Sequence, residues 1–376
     1  MRVEENMELN WENMLRGIRE QVGLLQDFRL LFARVEERMG TAALPERIYL
    51  TGCGDSHYCG LASRNAFERW TGIPTEALES LEFSRYAIED APKGAMVISV
   101  SNSGRVARTA ECNIFARLRG ITAVGVTYNP EGRLAKNSDI VIQYTYPEVG
   151  FGPGTVSYMA SLLSLDAVAL HLGRRTGRLD LTGVEERVSA ITAAAPLLQQ
   201  SIESQFAPAS ALARPLPSDL RITFLGGGPN YGTALFGMAK FIEAARLNAV
   251  GQELEEWAHE QYFCTEAGTL TVVLAPPGRA LDRAREQLQA VRDMEGMAVA
   301  VCRADDAETS SLADVVLPVP GDLDELISPL VYCVGPELLA FHYASQRNLA
   351  MLGFDDKKRQ EVNFRQIFGS RIPGEV

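Results

Sequence analysis

The sequence has too little positive charge for a general nucleic-acid binder. Its 376 residues include 36 lysines and arginines against 48 aspartates and glutamates, so the net charge at pH 7 is −12. No run of lysines and arginines suggests a basic groove. We therefore expect no nucleic acid among its partners. A single bound phosphate is still compatible, because backbone N–H groups at a helix N-terminus bind anions without a basic surface.

The sequence also lacks the cysteine and histidine patterns that are typical of disulfide-linked or metal-binding proteins. The six cysteines form no C-x-x-C pair, and most lie in apolar runs, which favours reduced core thiols over disulfides. The four histidines, at positions 57, 171, 259 and 342, have no close cluster of histidine or carboxylate partners. We expect no dedicated metal site and no bound cofactor.

Long hydrophobic runs are missing as well. No apolar stretch approaches the roughly 20 residues that cross a bilayer, so no membrane span is predicted. The N-terminus carries Glu4, Glu5 and Glu8 and lacks the apolar core of a signal peptide. The expected location is the cytoplasm.

What the sequence does contain is an alternation of short apolar strands and helices. Apolar strands are predicted at 47–50, 95–100, 122–127 and 139–142, with helices at 63–70 and 110–118. The same order recurs with strands at 221–225, 271–275, 298–302 and 315–317 and a helix at 281–294. A long helix is predicted at 326–348. This alternation is typical of βαβ units, and it predicts two doubly wound parallel-sheet α/β domains, flavodoxin-like or Rossmann-like.

Domain bounds follow from spacing and from a proline-bearing stretch. Apolar residues at three-to-four spacing predict an amphipathic helix over 11–39, within an N-terminal helical segment at 1–40. A long helical passage covers 156–171 and 184–206 and leads to Ala207-Pro208 and Ala213–Pro217. We therefore predict a first domain at 41–206, a linker at 207–218 and a second domain with a C-terminal tail at 219–376.

Two loops rich in glycine and hydroxyl groups follow predicted strands of the first domain. One is Cys53-Gly54-Asp55-Ser56, and the other is Ser101-Asn102-Ser103-Gly104. In open α/β sheets ligands bind where strands end and helices begin, and such loops suit a phosphorylated small molecule. The Gly226–Gly228 loop of the second domain is open to two interpretations, a ligand-approach loop or a plain tight turn. The candidate binding residues are Gly54, Asp55, Ser56, Ser101, Asn102, Ser103 and Arg105.

A carboxylate and an imidazole are the candidate catalytic groups. Glu243 lies late in a predicted helix, and His259 follows it by sixteen residues. Carbonyl proton transfer needs a carboxylate-type base, and ring opening needs a group that shuttles protons near neutral pH. Taken alone, the pair favours a solvated carboxylate and a core histidine.

Together these residues resemble a known family, the sugar isomerase (SIS) domain proteins, in particular the isomerase half of glucosamine-6-phosphate synthase. The family's C-G-T-S loop corresponds to Cys53–Ser56, and its S-Q-S-G-E-T loop corresponds to Ser101–Val106. Glu243 and the segment Glu256–Glu260 fall at the separation of the family's isomerisation glutamate and its E-L-K-H-G histidine segment, without a gap. The resemblance covers nearly the whole chain after about residue 40.

The sequence departs from this family in places that bear on substrate. Asp55 and Val106 replace threonines of the phosphate loops, so two hydroxyls are lost and a carboxylate that repels anions is gained. Arg105 could offset that charge. No lysine follows Lys358, although the synthase has an essential lysine in its tail. Residues 1–40 are too few for a glutaminase domain. We therefore do not expect this segment to supply ammonia for amination, as the glutaminase domain of the complete synthase does.

The resemblance implies an enzyme that opens a phosphorylated sugar ring and moves a proton between C1 and C2, with Glu243 as the base and His259 as the ring-opening group. Two alternatives stay open: a deglycase of the fructosamine-6-phosphate type, and a regulator that binds a sugar phosphate without catalysis. The implied partner is a phosphorylated sugar or sugar-amine. In the resembled family the histidine comes from a neighbouring subunit, so a homodimer with a shared site is expected.

Overall fold

The chain forms two compact units, each built on its own five-stranded parallel sheet. The computed structural model describes residues 10–373. The first domain comprises residues 23–146, 157–193 and 356–373. The second domain comprises residues 10–22, 147–156 and 194–355. The predicted fold class, two doubly wound parallel α/β domains, is confirmed.

The helices interleave with the strands along most of the chain. They are α1 Trp11–Gln26, α2 Phe28–Met39, α3 Asp55–Thr71, α4 Ser80–Arg85, α5 Ala107–Leu118, α6 Arg133–Lys136, α7 Val156–Arg175, α8 Leu181–Ala213, α9 Pro229–Ala245, α10 Leu254–His259, α11 Leu281–Asp293, α12 Ala307–Ser311, α13 Pro329–Tyr332, α14 Val334–Gln346 and α15 Lys357–Phe368. Single 3-10 turns occur at Ala87–Glu89, Gln261–Cys264 and Met351–Gly353.

The two sheets have the same topology. The first has the order β2-β1-β3-β4-β5 and the second the order β7-β6-β8-β9-β10, which is the same order when strands are counted within each domain. The strands are β1 Arg47–Gly52, β2 Thr75–Glu79, β3 Ala95–Val100, β4 Thr122–Thr127, β5 Ile140–Gln143, β6 Arg221–Gly226, β7 Val250–Glu253, β8 Thr269–Ala275, β9 Met297–Arg303 and β10 Val315–Val319. The central strands β3 and β8 are buried along their whole length, as expected when helices cover both faces of a parallel sheet.

The repetition extends to individual hydrogen bonds at the last strand of each sheet. In the first domain the Ala123 N–H donates to the Asp139 carboxylate at 3.0 Å. In the second domain the Ala298 N–H donates to the Asp314 carboxylate at 2.8 Å. The two halves are therefore copies of one structural unit, although their sequences differ.

Two predicted helices are interrupted. The helix predicted over 11–39 ends at Gln26 and restarts at Phe28, because Asp27 lies between them with φ −86° and ψ 6°. The helix predicted over 326–348 is two helices, α13 and α14, separated by Cys333. Pro336 has no N–H for the Tyr332 carbonyl, and its ring opposes a continuous helix at this point.

At the predicted linker the structure also differs from the sequence-based prediction. α8 continues through Pro208 to Ala213, so the first half of the 207–218 stretch is helical. Buried Ala209 and Leu212 anchor this extension, which offsets the hydrogen bond that the proline removes.

One helix in the described part of the chain, α7, is long and apolar enough to cross a membrane by length and composition. Its most apolar window is 94% buried inside the protein.

Candidate active site

The first candidate loop requires glycine at two positions. Gly54 precedes α3 with φ 56° and ψ −129°, a backbone conformation that side chains disfavour. A Cβ at Gly52 would lie 2.5 Å from the Ser56 backbone, so the chain can turn here only without a side chain. Asp55 and Ser56 occupy the first turn of α3 and stay partly exposed. The loop thus presents a helix N-terminus at the carboxyl end of β1.

The second candidate loop follows β3 and is tied to the next strand of the sheet. Gly104 adopts φ 63°, and a Cβ there would lie 3.0 Å from both Asn129 and Thr127. The Leu134 N–H donates to the Gly104 carbonyl at 2.9 Å. The Ser103 hydroxyl accepts a hydrogen bond from the Arg105 N–H at 3.2 Å. These bonds hold the backbone in one conformation before α5 begins.

Ser101 carries the most informative side chain of this loop. It is only 2% exposed, and its hydroxyl oxygen has no hydrogen-bond partner among the described residues. A buried hydroxyl without a partner is unfavourable by about 1 to 3 kcal/mol. Such an atom is a natural contact for a bound ligand.

The structure brings both loops together. β1 and β3 are hydrogen-bonded neighbours, so their carboxyl ends lie side by side. The Thr51 and Ser99 hydroxyls, near those ends, are 2.7 Å apart, and the Thr109 hydroxyl of α5 lies 3.6 Å from the Cys53 sulfur. In a sheet with this strand order the crevice between the first and third strands is the usual ligand position. All seven predicted binding residues therefore lie on the two adjacent loops of one crevice.

Three arginines near this crevice contact other side chains of the first domain. Arg85 and Arg108 both form ion pairs with the fully buried Glu111. The Arg105 guanidinium lies over the Phe368 ring of α15, 4.6 Å from its centroid, a cation–π contact.

His57 follows Ser56 in the first turn of α3 and was not among the predicted site residues. It is 6% exposed, and its Nε2 lies 3.5 Å from the Glu79 carboxylate. Burial lowers the pKa of His57, while the Glu79 charge acts in the opposite direction. Its imidazole therefore adds no positive charge to the crevice near neutral pH.

In the second domain two loops correspond to the candidate loops of the first. Gly228 precedes α9 with φ 54° and ψ −128°, nearly the angles of Gly54, which identifies Gly226–Gly228 as the counterpart of the first loop. The counterpart of the second loop, at Gly278-Arg279, is hydrogen-bonded to a carboxylate of the same domain, that of Glu325. The Arg279 N–H donates to the Glu325 carboxylate at 2.9 Å. The first domain is thus the half with a crevice suited to an external anion.

Glu243, the predicted base, forms an ion pair with a buried lysine. The Lys240 Nζ lies 2.6 Å from the Glu243 carboxylate and donates to the Gly154 carbonyl at 3.0 Å. The Lys240 side chain is 0% exposed, whereas that of Glu243 is 30% exposed. Lys240 was missed from the sequence. Its only signal was its spacing of three residues before Glu243 on an otherwise apolar helix.

His259 ends α10 and is largely exposed. Its side chain is 68% exposed, and its Nε2 lies 3.3 Å from the Glu255 carboxylate. The buried Trp257 and Leu254 fix α10 against the second domain, so His259 projects from a firmly packed turn.

Glu243 and His259 are not brought together within the second domain. α10 follows β7 at the carboxyl edge of the sheet, whereas α9 runs back to the opposite edge before β7 begins. Glu243 is near the far end of α9, about 20 Å along the helix from its start at Pro229. The chain order therefore separates the two residues along the sheet.

No group of three or more metal-ligating side chains that could hold a metal ion occurs within residues 10–373.

Curated relatives of this chain are isomerizing glutamine–fructose-6-phosphate aminotransferases. That of Gloeobacter violaceus is 28% identical over 350 residues, which covers 89% of this chain and 56% of the relative. That of Pyrococcus horikoshii is 28% identical over 340 residues, covering 88% and 54%. The chain spans about half the length of the curated relatives it matches.

Solved structures share the fold over most of the chain. The C-terminal domain of glucosamine-fructose-6-phosphate aminotransferase from Francisella tularensis has a TM-score of 0.76 at 18% identity, covering 90% of this chain and 97% of that one. Tagatose-6-phosphate ketose/aldose isomerase from Escherichia coli has a TM-score of 0.75 at 17% identity, covering 98% and 97%. Residues 44–171, which hold β1 to β5 and both candidate loops, match the SIS domain. This chain is thus similar to the SIS domain family over the part that holds the first sheet and both candidate loops.

Proposed function

We propose that this protein is a phosphosugar isomerase-type enzyme, which opens the ring of a phosphorylated sugar and transfers a proton between C1 and C2. The binding half of this proposal is supported by the two loops of the first domain. Backbone N–H groups at the starts of α3 and α5 and the Ser101 hydroxyl suit a phosphate group. The isomerizing activity of the curated relatives points to the same chemistry.

The observation that carries the catalytic half is the Lys240–Glu243 pair. Lysine is rarely buried completely, and burying an ammonium ion is unfavourable unless a partner compensates for lost hydration. Here the partner is a carboxylate that stays 30% exposed. The pair thus offers an accessible base beside a fixed positive charge. A purely structural interpretation, in which Lys240 only tethers the Gly154 segment, predicts no effect of Glu243 on chemistry.

In the proposed reaction His259 catalyses ring opening, and Glu243 catalyses the proton transfer that follows. His259 takes the proton of the anomeric hydroxyl and returns one to the ring oxygen, which opens the ring. Glu243 removes the proton from the carbon next to the carbonyl, giving an enediolate, and delivers it to the former carbonyl carbon. The hydroxyl proton on the first carbon passes to the former carbonyl oxygen, which completes the isomerisation. A cation close to that base, such as Lys240, stabilises negative charge as it develops on the oxygens.

The positions of Glu243 and His259 favour a homodimer with composite sites. Since the chain order separates these residues along the sheet, we propose that a site that uses both takes them from different chains. The six cysteines form no disulfide within residues 10–373, which suits a reducing compartment, so we propose a cytoplasmic homodimer.

Testing requires a panel of fructose 6-phosphate, tagatose 6-phosphate and glucosamine 6-phosphate, with fructose as the unphosphorylated comparison. Glu243→Gln keeps the size of the side chain but removes the base, so turnover should fall by roughly 10² to 10⁴. Exchange of solvent deuterium into C1 or C2 should disappear with it, while binding changes little. Turnover is followed by product chromatography and exchange by proton NMR.

A matched control is Glu286→Gln, which removes the same charge from an exposed position of α11. It should behave as the unaltered protein. If Glu243→Gln retains both exchange and turnover, the catalytic role of Glu243 is wrong. If the unaltered protein binds panel members but neither turns them over nor exchanges deuterium, it is a sugar-phosphate-binding regulator.

One observation favours a second candidate, deglycation of a phosphorylated sugar-amine. Asp55 places a carboxylate on the ligand loop, which repels an anion but attracts an ammonium group. The chemistry begins with the same proton transfer: the C1–C2 shift converts a ketoamine into a C1 imine. Water then adds to the imine and releases the amine and an aldose phosphate. Release of amine from a fructosamine 6-phosphate, with no isomerisation of the plain sugar phosphates, would establish this activity instead.

A further inference from the structure

Asn102 is held on its carbonyl side by two tyrosines that follow β5. The Tyr144 hydroxyl donates to the Asn102 Oδ1 at 3.2 Å, and the Tyr146 hydroxyl donates to the same oxygen at 3.0 Å. Asn102 lies in the middle of the second ligand loop, between Ser101 and Ser103. Two donors on one amide oxygen leave little acceptor capacity on that atom.

The tyrosines are themselves fixed. Tyr144 is 1% exposed, and its hydroxyl lies 3.0 Å from the Ser161 hydroxyl of α7. Burial raises the pKa of Tyr144, so its hydroxyl remains a donor at all ordinary pH values. The Tyr146 ring packs against the Tyr128 ring with centroids 4.8 Å apart.

The backbone of Asn102 is also anchored. Its carbonyl accepts hydrogen bonds from the Tyr128 N–H and the Thr127 hydroxyl, both at 3.3 Å. A planar amide with its oxygen turned toward two hydroxyls directs its amino group the other way. With backbone and oxygen both fixed, the orientation of that amino group is set before any ligand arrives.

We propose that Tyr144 and Tyr146 are positioning residues that make Asn102 a fixed hydrogen-bond donor to an oxygen of the phosphorylated ligand. This inference rests on the proposed function, because it takes the second loop to be the phosphate-binding element. A donor arranged in advance binds an anionic oxygen without an ordering penalty. The arrangement also selects against ligands that present a donor at this point.

The test compares Tyr144→Phe, Tyr146→Phe and Asn102→Ala, alone and in combination, with fructose 6-phosphate as the probe in calorimetry. Each tyrosine substitution keeps the ring but removes one donor, so affinity should fall about three- to tenfold. In the Asn102→Ala background the same substitutions should have no further effect, because the residue through which they act is gone. If fructose 6-phosphate turns over, KM should rise while kcat stays nearly constant, as expected for uniform binding.

Tyr128→Phe is the matched control, since it removes a hydroxyl from the same cluster but not one that donates to Asn102. It should leave affinity unchanged. Asn102→Asp is a second probe of orientation. The tyrosines would still hold one carboxylate oxygen, but the other would face the phosphate, so the variant should bind fructose 6-phosphate less well than Asn102→Ala does.

The possible failures are distinguishable. Tyrosine variants that bind like the unaltered protein, or that weaken binding equally when residue 102 is alanine, would overturn the positioning role while the proposed function stands. An unaltered protein that binds no member of the phosphosugar panel would overturn the proposed function, and this inference with it. Because Tyr144 is buried and its variant can lose stability, the partly exposed Tyr146 provides an independent test, with melting temperatures measured for both.

Discussion

At the scale of single residues, substitution of Ser101 should affect ligand binding and stability differently. Its buried hydroxyl has no protein partner within residues 10–373, so Ser101→Ala removes an unfavourable group and should preserve or slightly raise the free energy of unfolding. The same change should weaken fructose 6-phosphate binding tenfold or more, since a hydrogen bond to a charged group contributes about 1.5 to 3 kcal/mol. Unphosphorylated fructose should be unaffected. Urea denaturation and calorimetry measure the two effects.

Ser99→Ala is the control for this prediction. Ser99 is also buried, but its hydroxyl is 2.7 Å from that of Thr51, so its loss should lower stability and leave binding unchanged. An equal loss of fructose and fructose 6-phosphate binding in Ser101→Ala would show that this serine does not contact the phosphate.

Residues of the site differ in how visible they are in the sequence. Ser101 and Gly54 could be identified because loops after apolar strands carry their own signature of glycine and hydroxyl groups. Lys240 could not, because a lysine in an apolar helix is indistinguishable from a solvated one until its partners, Glu243 and Gly154, are in place. Tyr144 and Tyr146 were missed for a similar reason. Their contact with Asn102 spans more than 40 residues, and no local pattern reports it.

At the scale of elements, the fully buried strands were predictable and the marginal ones were not. β3 and β4 were predicted with their observed bounds, because continuous apolar runs leave few alternatives. β2 and β7 were missed: each is short, contains glutamate and lies at a sheet edge where one side needs no apolar partner. Helix breaks at Asp27 and Cys333 depend on local competition between hydrogen bonds, which periodicity does not report.

The core helix α7 carries two buried titratable groups that predict how stability depends on pH. Burial raises the pKa of Asp166 to about 8, although the Ser63 hydroxyl lies within 3.4 Å. Burial lowers the pKa of His171 to about 4, and the nearby Arg174 and Arg175 act in the same direction. Both groups are therefore neutral in the folded protein at pH 7.

Asp166 and His171 change the free energy of unfolding with pH in opposite directions. Asp166 binds its proton in the folded state but not in the unfolded chain between pH 3.8 and about 8, so it lowers stability as pH rises through that range. The unfolded chain protonates His171 between about pH 4 and 6.5, so that residue raises stability with pH there. From pH 6.5 to 8 only the Asp166 contribution remains.

Asp166→Asn should therefore remove the decline in unfolding free energy between pH 6.5 and 8 that is due to this group, and it should stabilise the protein most at pH 8. Urea titrations at several pH values measure it. Asp90→Asn, an exposed change in the same domain, should leave the pH dependence as it was. An identical slope in Asp166→Asn and the unaltered protein would mean that Asp166 is ionised in the folded state.

At the scale of the whole molecule, two copies of one structural unit have diverged in role. Both retain a left-handed glycine before the helix that follows the first strand, Gly54 and Gly228. Both retain a Gly-Arg pair after the third strand. In the second domain, however, Pro276 and Pro277 replace the loop serines. The Glu325 carboxylate there accepts a hydrogen bond from the Arg279 N–H. A duplicated fold thus yields one candidate crevice for an external anion, in the first domain.

The separation of Glu243 and His259 leads to a test that no single variant provides. If each site takes Glu243 from one chain and His259 from the other, Glu243→Gln and His259→Asn homodimers are both inactive. Mixing them under conditions that exchange subunits forms heterodimers in which one site receives both lesions and the other receives none. Random pairing makes half of the dimers mixed, so activity should recover to about 25% of the unaltered level.

The measurement is turnover of the panel substrate before and after subunit exchange, with light scattering to confirm a dimer in every sample. The unaltered protein taken alone through the same exchange conditions shows whether exchange itself harms activity. If both residues acted within one chain, every site in the mixture would still carry one lesion, and no activity would return. That result, or a monomer of 41.1 kDa with full activity, would exclude the shared site and require Glu243 and His259 to act separately.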